Sequence, residues 1–355
     1  MRLATLATGG RDGTLVVVSP DGSAFAKAPV ATLQEALERW DEIAPQLAAT
    51  TSFDHPLEGI IAPLPRAWQW LDGSVFASHG ALMDKVLGVD KPKVDFPLMY
   101  QGVSDKFYGP TEDVRMADEA LGIDFEGEFG VIVDAVPMGI SAGDAMAHIK
   151  LVVQINDWSL RTLAGPEMKT GFGWVQAKPP CSMAPFAVTP DELGDQWRDG
   201  RACLDLAVDW NGTRFGNANG APMGYGFHEL VAHAARTRNL VAGTVIGSGT
   251  VSNENFREVG SSCIAERRGI EIVDDGAART EFMRFGDTVR MEAHLTDGRA
   301  PFGAIDQKVV KACAIPASPM SSASSPVMMK TVVQYSNPKM SRLPKWSPAV
   351  MPHSC

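Results

Sequence analysis

Residues 123–134 read IDFEGEFGVIVD, three carboxylates at alternating positions inside what is otherwise a β-rich apolar run. Strand alternation puts Asp124, Glu126 and Glu128 on one face and Phe125, Phe129, Val131 and Val133 on the other. Same-face neighbours on a strand lie roughly 7 Å apart, so three negative charges there repel one another. On an edge strand such a row is simply a solvated polar face. Here the flanks are strongly apolar, which makes the strand internal, and Gly127 between the glutamates implies close approach by another group. Buried like charges need a counter-charge, and a divalent cation is the most economical one. A second β-rich run, LVVQIND, ends in Asn156-Asp157 and adds a carboxylate at a strand terminus. An all-oxygen set of this kind suits Mg²⁺, Ca²⁺ or Mn²⁺ rather than zinc or copper.

The rest of the chain limits what such a site can serve. Its 355 residues allow one large domain with a small one, or two modest domains. With 45% hydrophobic and 21% charged residues it reads as a folded protein. A formal charge of −10 without clustered Lys and Arg argues against a nucleic-acid partner. The five cysteines (Cys181, Cys203, Cys263, Cys313, Cys355) are scattered and form no CxxC pair, so neither a disulfide framework nor a zinc site is expected. MRLATLATGGRDG is too short an apolar run for a signal peptide, and no stretch is long enough to span a membrane. The expectation is a cytoplasmic protein.

Three segments differ in character. Residues 1–65 hold a hairpin, TLVVVSPDGSAFA, and an amphipathic helix, TLQEALERWDEI, with Thr32 as N-cap and Glu35 three residues on. Residues 66–310 alternate irregularly, with strands in FGVIVD, LVVQIND, GTVIGSGT and DTVRMEAHLTDGR. A hairpin turns there at Asn211-Gly212, and SAGDAMAHIK forms a short helix opened by Ser141. No βαβ repeat is visible, which points to a mixed, mostly β, α+β architecture. From 311 to 355 the chain becomes rich in Ser, Pro and Met without periodicity. This is a poorly ordered tail or sequence outside the natural domain, and both readings stand.

Taken in order, IDFEGEFGVIVD, INDWSLRTL, GSGTVSNEN with GSSCIAE, and FGAIDQKVV resemble the fumarylacetoacetate hydrolase family, from about residue 66 to 310. The resemblance implies a β-roll-like mixed sandwich with a small N-terminal α+β domain of SH3-like barrel form, a homodimer, and Mg²⁺ or Ca²⁺, with Mn²⁺ a third option. It implies Glu126, Glu128 and Asp157 as metal ligands, with Asp124 supporting them. Asp72 becomes the fourth ligand because it stands seven residues before His79, as in fumarylacetoacetases. His79 and Glu266 become the catalytic pair. A carboxylate behind a histidine holds the imidazole in its basic tautomer and stabilises the cation it becomes. Lys178 matches the family lysine that stabilises developing negative charge. Tyr100, Gly249, Thr250 and Ser182 fall at substrate-side positions. Three positions depart from the pattern: Ser74, Gly88 and Ala164 replace a tyrosine, an arginine and a glutamine that grip substrate.

HELVAH, residues 228–233, imitates a zinc-protease motif with one residue too many. His228 and His233 stand roughly 140° apart on a helix and cannot share a metal. Phe227, Leu230, Val231 and Ala234 make it a packing helix.

The expected activity is metal-dependent hydrolysis of a carbon–carbon bond in a β-diketo acid, fumarylacetoacetate or an acylpyruvate, in tyrosine and aromatic-compound catabolism. An oxo-acid decarboxylase or a 2-oxo-pentenoate hydratase is the alternative within the family. A non-catalytic binding protein braced by its cation is the alternative outside it.

Overall fold

The carboxylate-bearing strand sits deep inside the largest sheet. The computed structural model of the chain describes residues 1–87 and 94–312; Gly88 and, of the tail expected over 311–355, residues 313–355 lie outside the described residues, whereas Lys311 still ends a strand. The largest sheet has twelve strands. Gly127–Val133 lies between Ile149–Asn156 and Thr244–Gly247, both antiparallel to it. Beyond Thr244–Gly247 come Trp70–Gly73, in parallel, and Met99–Gly102. A second sheet of five strands runs Thr213–Asn219, Asp205–Trp210, Thr288–His294, Ala304–Lys311 and Val114–Met116.

The apolar flanks of the carboxylates explain this placement. Phe129, Val131 and Val133 join Leu206, Val208, Met291 and Ile305 of the second sheet in one buried cluster. Ile132, one residue out of phase, joins Leu151, Val153 and Ile155 in a cluster capped by Leu33, Leu37, Ile43 and Leu47 of the N-terminal helices. A strand covered on both faces has to be apolar throughout, as this one is after Glu128. The result is the expected mixed, mostly β architecture.

Several local signals hold. Thr14–Val18 and Ala24–Lys27 form the first hairpin, and the Thr32 hydroxyl caps the following helix by accepting the Glu35 N–H at 3.1 Å. Asn211 and Gly212 both take positive φ (50° and 74°), the conformation a two-residue turn between twisted strands requires. The Ser141 hydroxyl accepts the Asp144 N–H at 3.1 Å. Phe227–Ala234 buries Phe227, Leu230 and Val231, as a packing helix should. The helix read as TLQEALERWDEI, however, breaks at Arg39 into Leu33–Glu38 and Trp40–Ala48.

Two expectations are corrected. The N-terminal strands do not close a barrel: Arg2–Leu6 pairs with Ala187–Val188, which in turn pairs with Ile149–Asn156, so these strands extend the large sheet to an open edge at His55–Pro56. Residues 123–134 are also not one strand. Ile123–Asp124 pairs with Ser159–Leu160 in a separate two-stranded ladder, and the large-sheet strand begins only at Gly127. The chain changes sheets at Phe125 and Glu126, so the three carboxylates leave in different directions. Among the described residues no helix is long and apolar enough to cross a membrane.

Candidate active site

Each carboxylate of the motif has its own surroundings. Asp124 accepts the Ile264 and Ala265 N–H groups at 2.7 and 2.9 Å, at the start of the helix Ile264–Asp275, and Arg161 Nε at 2.7 Å. It faces a helix N-terminus, where a negative charge is stabilising. Glu126 accepts Arg161 Nη2 at 2.5 Å and Ser159 Oγ at 3.1 Å on one oxygen, and Lys178 Nζ at 3.0 Å on the other. Burial pushes its carboxyl up, but Lys178 and Arg161 more than offset this and hold it well below the usual range. Glu128 is fully buried, and neither of its oxygens meets a donor among the described residues.

Glu128 instead meets two other carboxylates. Asp72, at the end of Trp70–Gly73, and Asp157, just beyond Ile149–Asn156, each offer an oxygen, and the three ligand atoms lie within 4.8 Å of one another. Burial pushes Asp72 and Glu128 well above the carboxylate range. For Asp72 the charge of Asp157 adds to this; for Glu128 the charge of Asp72 adds to it. Asp72 accepts the Gly249 N–H at 3.0 Å. That loop requires glycine, because φ at Gly249 is +77° and a Cβ there would meet the Gly73 carbonyl at 2.5 Å. Asp157 accepts Lys178 Nζ at 2.6 Å, Tyr100 OH at 2.7 Å and the Cys181 thiol at 3.0 Å. Burial works against the Lys178 ammonium, but the carboxylates of Asp157 and Glu126 hold its proton on firmly.

Across this region Asp72, Asp124, Glu126, Glu128 and Asp157 are buried, and the cations facing them are Arg161 and Lys178. The charge deficit falls on the trio, where Glu128 has orphaned oxygens. Hard oxygen donors, converging and under-neutralised, fit a divalent cation of the Mg²⁺, Ca²⁺ or Mn²⁺ type. Asp72, Glu128 and Asp157 are thus brought together as predicted. Glu126 lies outside that group of three; both of its oxygens accept hydrogen bonds, from Arg161, Ser159 and Lys178, as both oxygens of Asp157 do.

His79 enters from the helix Ala77–Leu87, its Nδ1 at 3.0 Å from Glu266 Oε2. Glu266 is fully buried on the first turn of Ile264–Asp275. Cys263 links this pair to the carboxylates. Its backbone bridges Glu126, and its Sγ lies within 4.8 Å of donor atoms of His79 and Glu266. With Nδ1 donating to the carboxylate, Nε2 keeps its lone pair for a proton. Tyr100 packs edge-on against Trp174 at 4.9 Å, and both rings lie within 6 Å of Lys178 Nζ, at 5.5 and 5.7 Å. Thr250 follows Gly249 in the same loop and is buried. Ser182 is fully buried, and its hydroxyl accepts the Trp158 indole N–H at 2.8 Å.

Sequence reasoning missed Arg161, Cys181, Trp174 and Ser252. Arg161 had a signal, since it lies in the INDWSLRTL motif four residues after Asp157. Cys181 and Trp174 flank Lys178 with nothing in their spacing to mark them.

Residues 69–310 match the family described as fumarylacetoacetate (FAA) hydrolase C-terminal, and residues 1–66 match fumarylacetoacetase N-terminal domain 2. The chain belongs to the fumarylacetoacetate hydrolase family. Among curated relatives, it is 27% identical over 157 residues to 2,4-didehydro-3-deoxy-L-rhamnonate hydrolase of Sphingomonas sp. (strain SKA58), covering 43% of this chain and 52% of that protein. It is 25% identical over 176 residues to the mitochondrial oxaloacetate tautomerase fahd2 of Xenopus laevis, covering 47% of this chain and 51% of that one. The chain thus spans about half the length of these curated relatives. Two solved structures share the fold over 88% of this chain and all of theirs. They are the fumarylacetoacetate hydrolase of Exiguobacterium antarcticum (TM-score 0.62, 16% identity) and the maleylpyruvate hydrolase of Sphingobium sp. SYK-6 in complex with manganese(II) and pyruvate (TM-score 0.60, 17% identity). Members of the family are metal-dependent enzymes with hydrolase or isomerase activity.

Proposed function

We propose that this family member hydrolyses a carbon–carbon bond of a β-diketo acid, fumarylacetoacetate or an acylpyruvate, in the breakdown of tyrosine or other aromatic compounds. One observation carries the reading: a His–Glu pair, tied through Cys263 to the backbone of Glu126, accompanies a trio of buried carboxylates that Lys178 alone under-neutralises and in which Glu128 has no donor among the described residues. Asp72, Glu128 and Asp157 would hold the cation. When bound, it supplies a Lewis acid for the neighbouring oxygens of a diketo acid.

The protein's own groups account for the protons. His79 Nε2 takes one from a water as that water's oxygen bonds to the attacked carbonyl carbon. Glu266 stabilises the resulting imidazolium. The carbon–carbon bond then breaks, its electron pair passing to the departing fragment as an enolate. The Lys178 ammonium, fixed by Asp157 and Glu126, is the group assigned to stabilise that growing negative charge. The imidazolium returns its proton to the enolate carbon, which restores the base. Tyr100 and Trp174, packed beside Lys178, and the Gly249–Thr250 loop, which holds Asp72, are the groups assigned to substrate. Turnover of fumarylacetoacetate and acylpyruvates, with and without EDTA, tests the reading. EDTA-sensitive release of a carboxylic acid supports it, and turnover of neither substrate class rejects it.

A second reading is keto–enol isomerisation or decarboxylation of an oxo-acid at the same centre, favoured by Ser74 and Ala164 standing where the family's hydrolases grip substrate. Decarboxylation needs no activated water, so the intact His79–Glu266 pair favours hydrolysis over it; isomerisation would use the same pair to move a proton, and the products of the turnover assay distinguish it.

A further inference from the structure

Glu266 has no free oxygen. Oε2 faces His79 Nδ1 at 3.0 Å, and Oε1 faces Ser252 Oγ at 3.0 Å, all beneath a surface that leaves Glu266 fully buried. An ionised carboxylate only accepts hydrogen bonds, so both neighbours must donate. Ser252 is then left with lone pairs alone for its other contact, Ser78 Oγ at 2.8 Å, and Ser78 must donate to it. Ser78 precedes His79 on the same first helical turn. Three hydrogen bonds and the peptide link between Ser78 and His79 therefore close a ring, His79–Glu266–Ser252–Ser78, in which each hydrogen-bonding proton has one allowed place.

We infer that Ser252 is a positioning residue for the His79–Glu266 pair, with Ser78 as its support; this rests on the proposed use of that pair as the base. Ser252 is buried, and its loop is fixed at several points. The Val251 N–H reaches the Gly127 carbonyl at 2.9 Å, the Asn253 amide reaches the Asn219 carbonyl at 2.8 Å, and the Gly249 N–H holds Asp72 at 3.0 Å. One loop thus sets both a cation ligand and the orientation of the general base. Without the Ser252 hydroxyl, Oε1 is left unpartnered in a dry site. The carboxylate then pivots towards another donor, and Oε2 comes off Nδ1. The imidazole loses the lock that keeps Nε2 unprotonated and aimed at the water.

The test compares Ser252→Ala, Ser252→Thr, Ser78→Ala and the Ser78→Ala/Ser252→Ala double variant in the full chain with Mn²⁺. Losing a hydrogen bond to a charged group predicts a kcat about tenfold lower in Ser252→Ala. KM stays within about twofold, because the loss is confined to the reacting state. Ser252→Thr, which keeps the hydroxyl, recovers most of kcat. Ser78→Ala loses about threefold, and the double variant is no slower than Ser252→Ala, because Ser78 acts only through Ser252. A readout independent of turnover is the ¹⁵N spectrum of His79 at fixed pH, assigned with His79→Gln. The Nδ1–H tautomer dominates in the wild type and gives way to a mixture in Ser252→Ala. If the wild type cleaves no diketo acid, the functional proposal fails while the spectrum still decides the ring. Wild-type kcat and an unshifted tautomer in Ser252→Ala would overturn the inference, as would a threonine variant no better than alanine. Should Ser252→Ala not fold, Ser78→Ala carries the same spectral test at the partly exposed end, and an unchanged tautomer there overturns the ring.

Discussion

Glu126 and Glu128 are two residues apart, both buried, and chemically the same, yet the protein treats them in opposite ways. Glu126 is met by Arg161, Ser159 and Lys178 and stays ionised without help. Glu128 is met by two further carboxylates and no donor, and burial and repulsion favour its neutral form. Of the buried carboxylates here, Glu128 is the one with no donor of its own among the described residues, which makes it the member of the trio most in need of a ligand. The first group scaffolds the second: Lys178 spans both, touching Glu126 and Asp157.

The most severe way to break the contrast is to neutralise the trio. Glu128→Gln or Asp157→Asn should abolish Mn²⁺ binding, followed by electron paramagnetic resonance, together with turnover. Retained binding in both would show that the cation sits elsewhere. Next, His79→Ala should keep Mn²⁺ and lose roughly 10²–10⁴-fold in kcat, the worth of a positioned general base, and full activity would remove the assigned base. Glu126→Gln sharpens the comparison through stability. It leaves Arg161 and Lys178 under-paired and should cost about 3–5 kcal/mol in urea unfolding, whereas Glu128→Gln in EDTA should not destabilise. Adding Mn²⁺ at about a hundred times its Kd should stabilise the wild type by about 2.7 kcal/mol, and Glu128→Gln not at all. The smallest effect belongs to Ser182→Ala, about 1 kcal/mol from the lost Trp158 bond with KM unchanged; a large rise in KM would return Ser182 to the substrate side.

How much of this could be read in advance depended on whether the signal was local. The Asn211-Gly212 turn, the Thr32 and Ser141 caps and the packing face of Phe227–Ala234 follow from neighbours a few residues apart, and all were legible. The E-x-E and N-D motifs announced a carboxylate cluster because buried charge is rare enough to need a reason. What could not be read was which charge goes where. The break at Phe125 and Glu126 depends on Ser159–Leu160 competing for Ile123–Asp124, a pairing set by partners more than thirty residues away. The capture of Glu126 by Arg161 follows from that break. The barrel expected at the N-terminus failed for a similar reason, because Arg2–Leu6 finds its neighbour at Ala187–Val188, which no local pattern reveals.

That pairing has a practical consequence for anyone trimming the chain. Deleting residues 1–66 would uncover the hydrogen-bonding edge of Ala187–Val188 and strip Leu33, Leu37, Ile43 and Leu47 from the outer face of Ile132, Leu151 and Val153. The fragment left behind would present a bare, greasy sheet with an open seam, and it should precipitate rather than purify as a smaller enzyme.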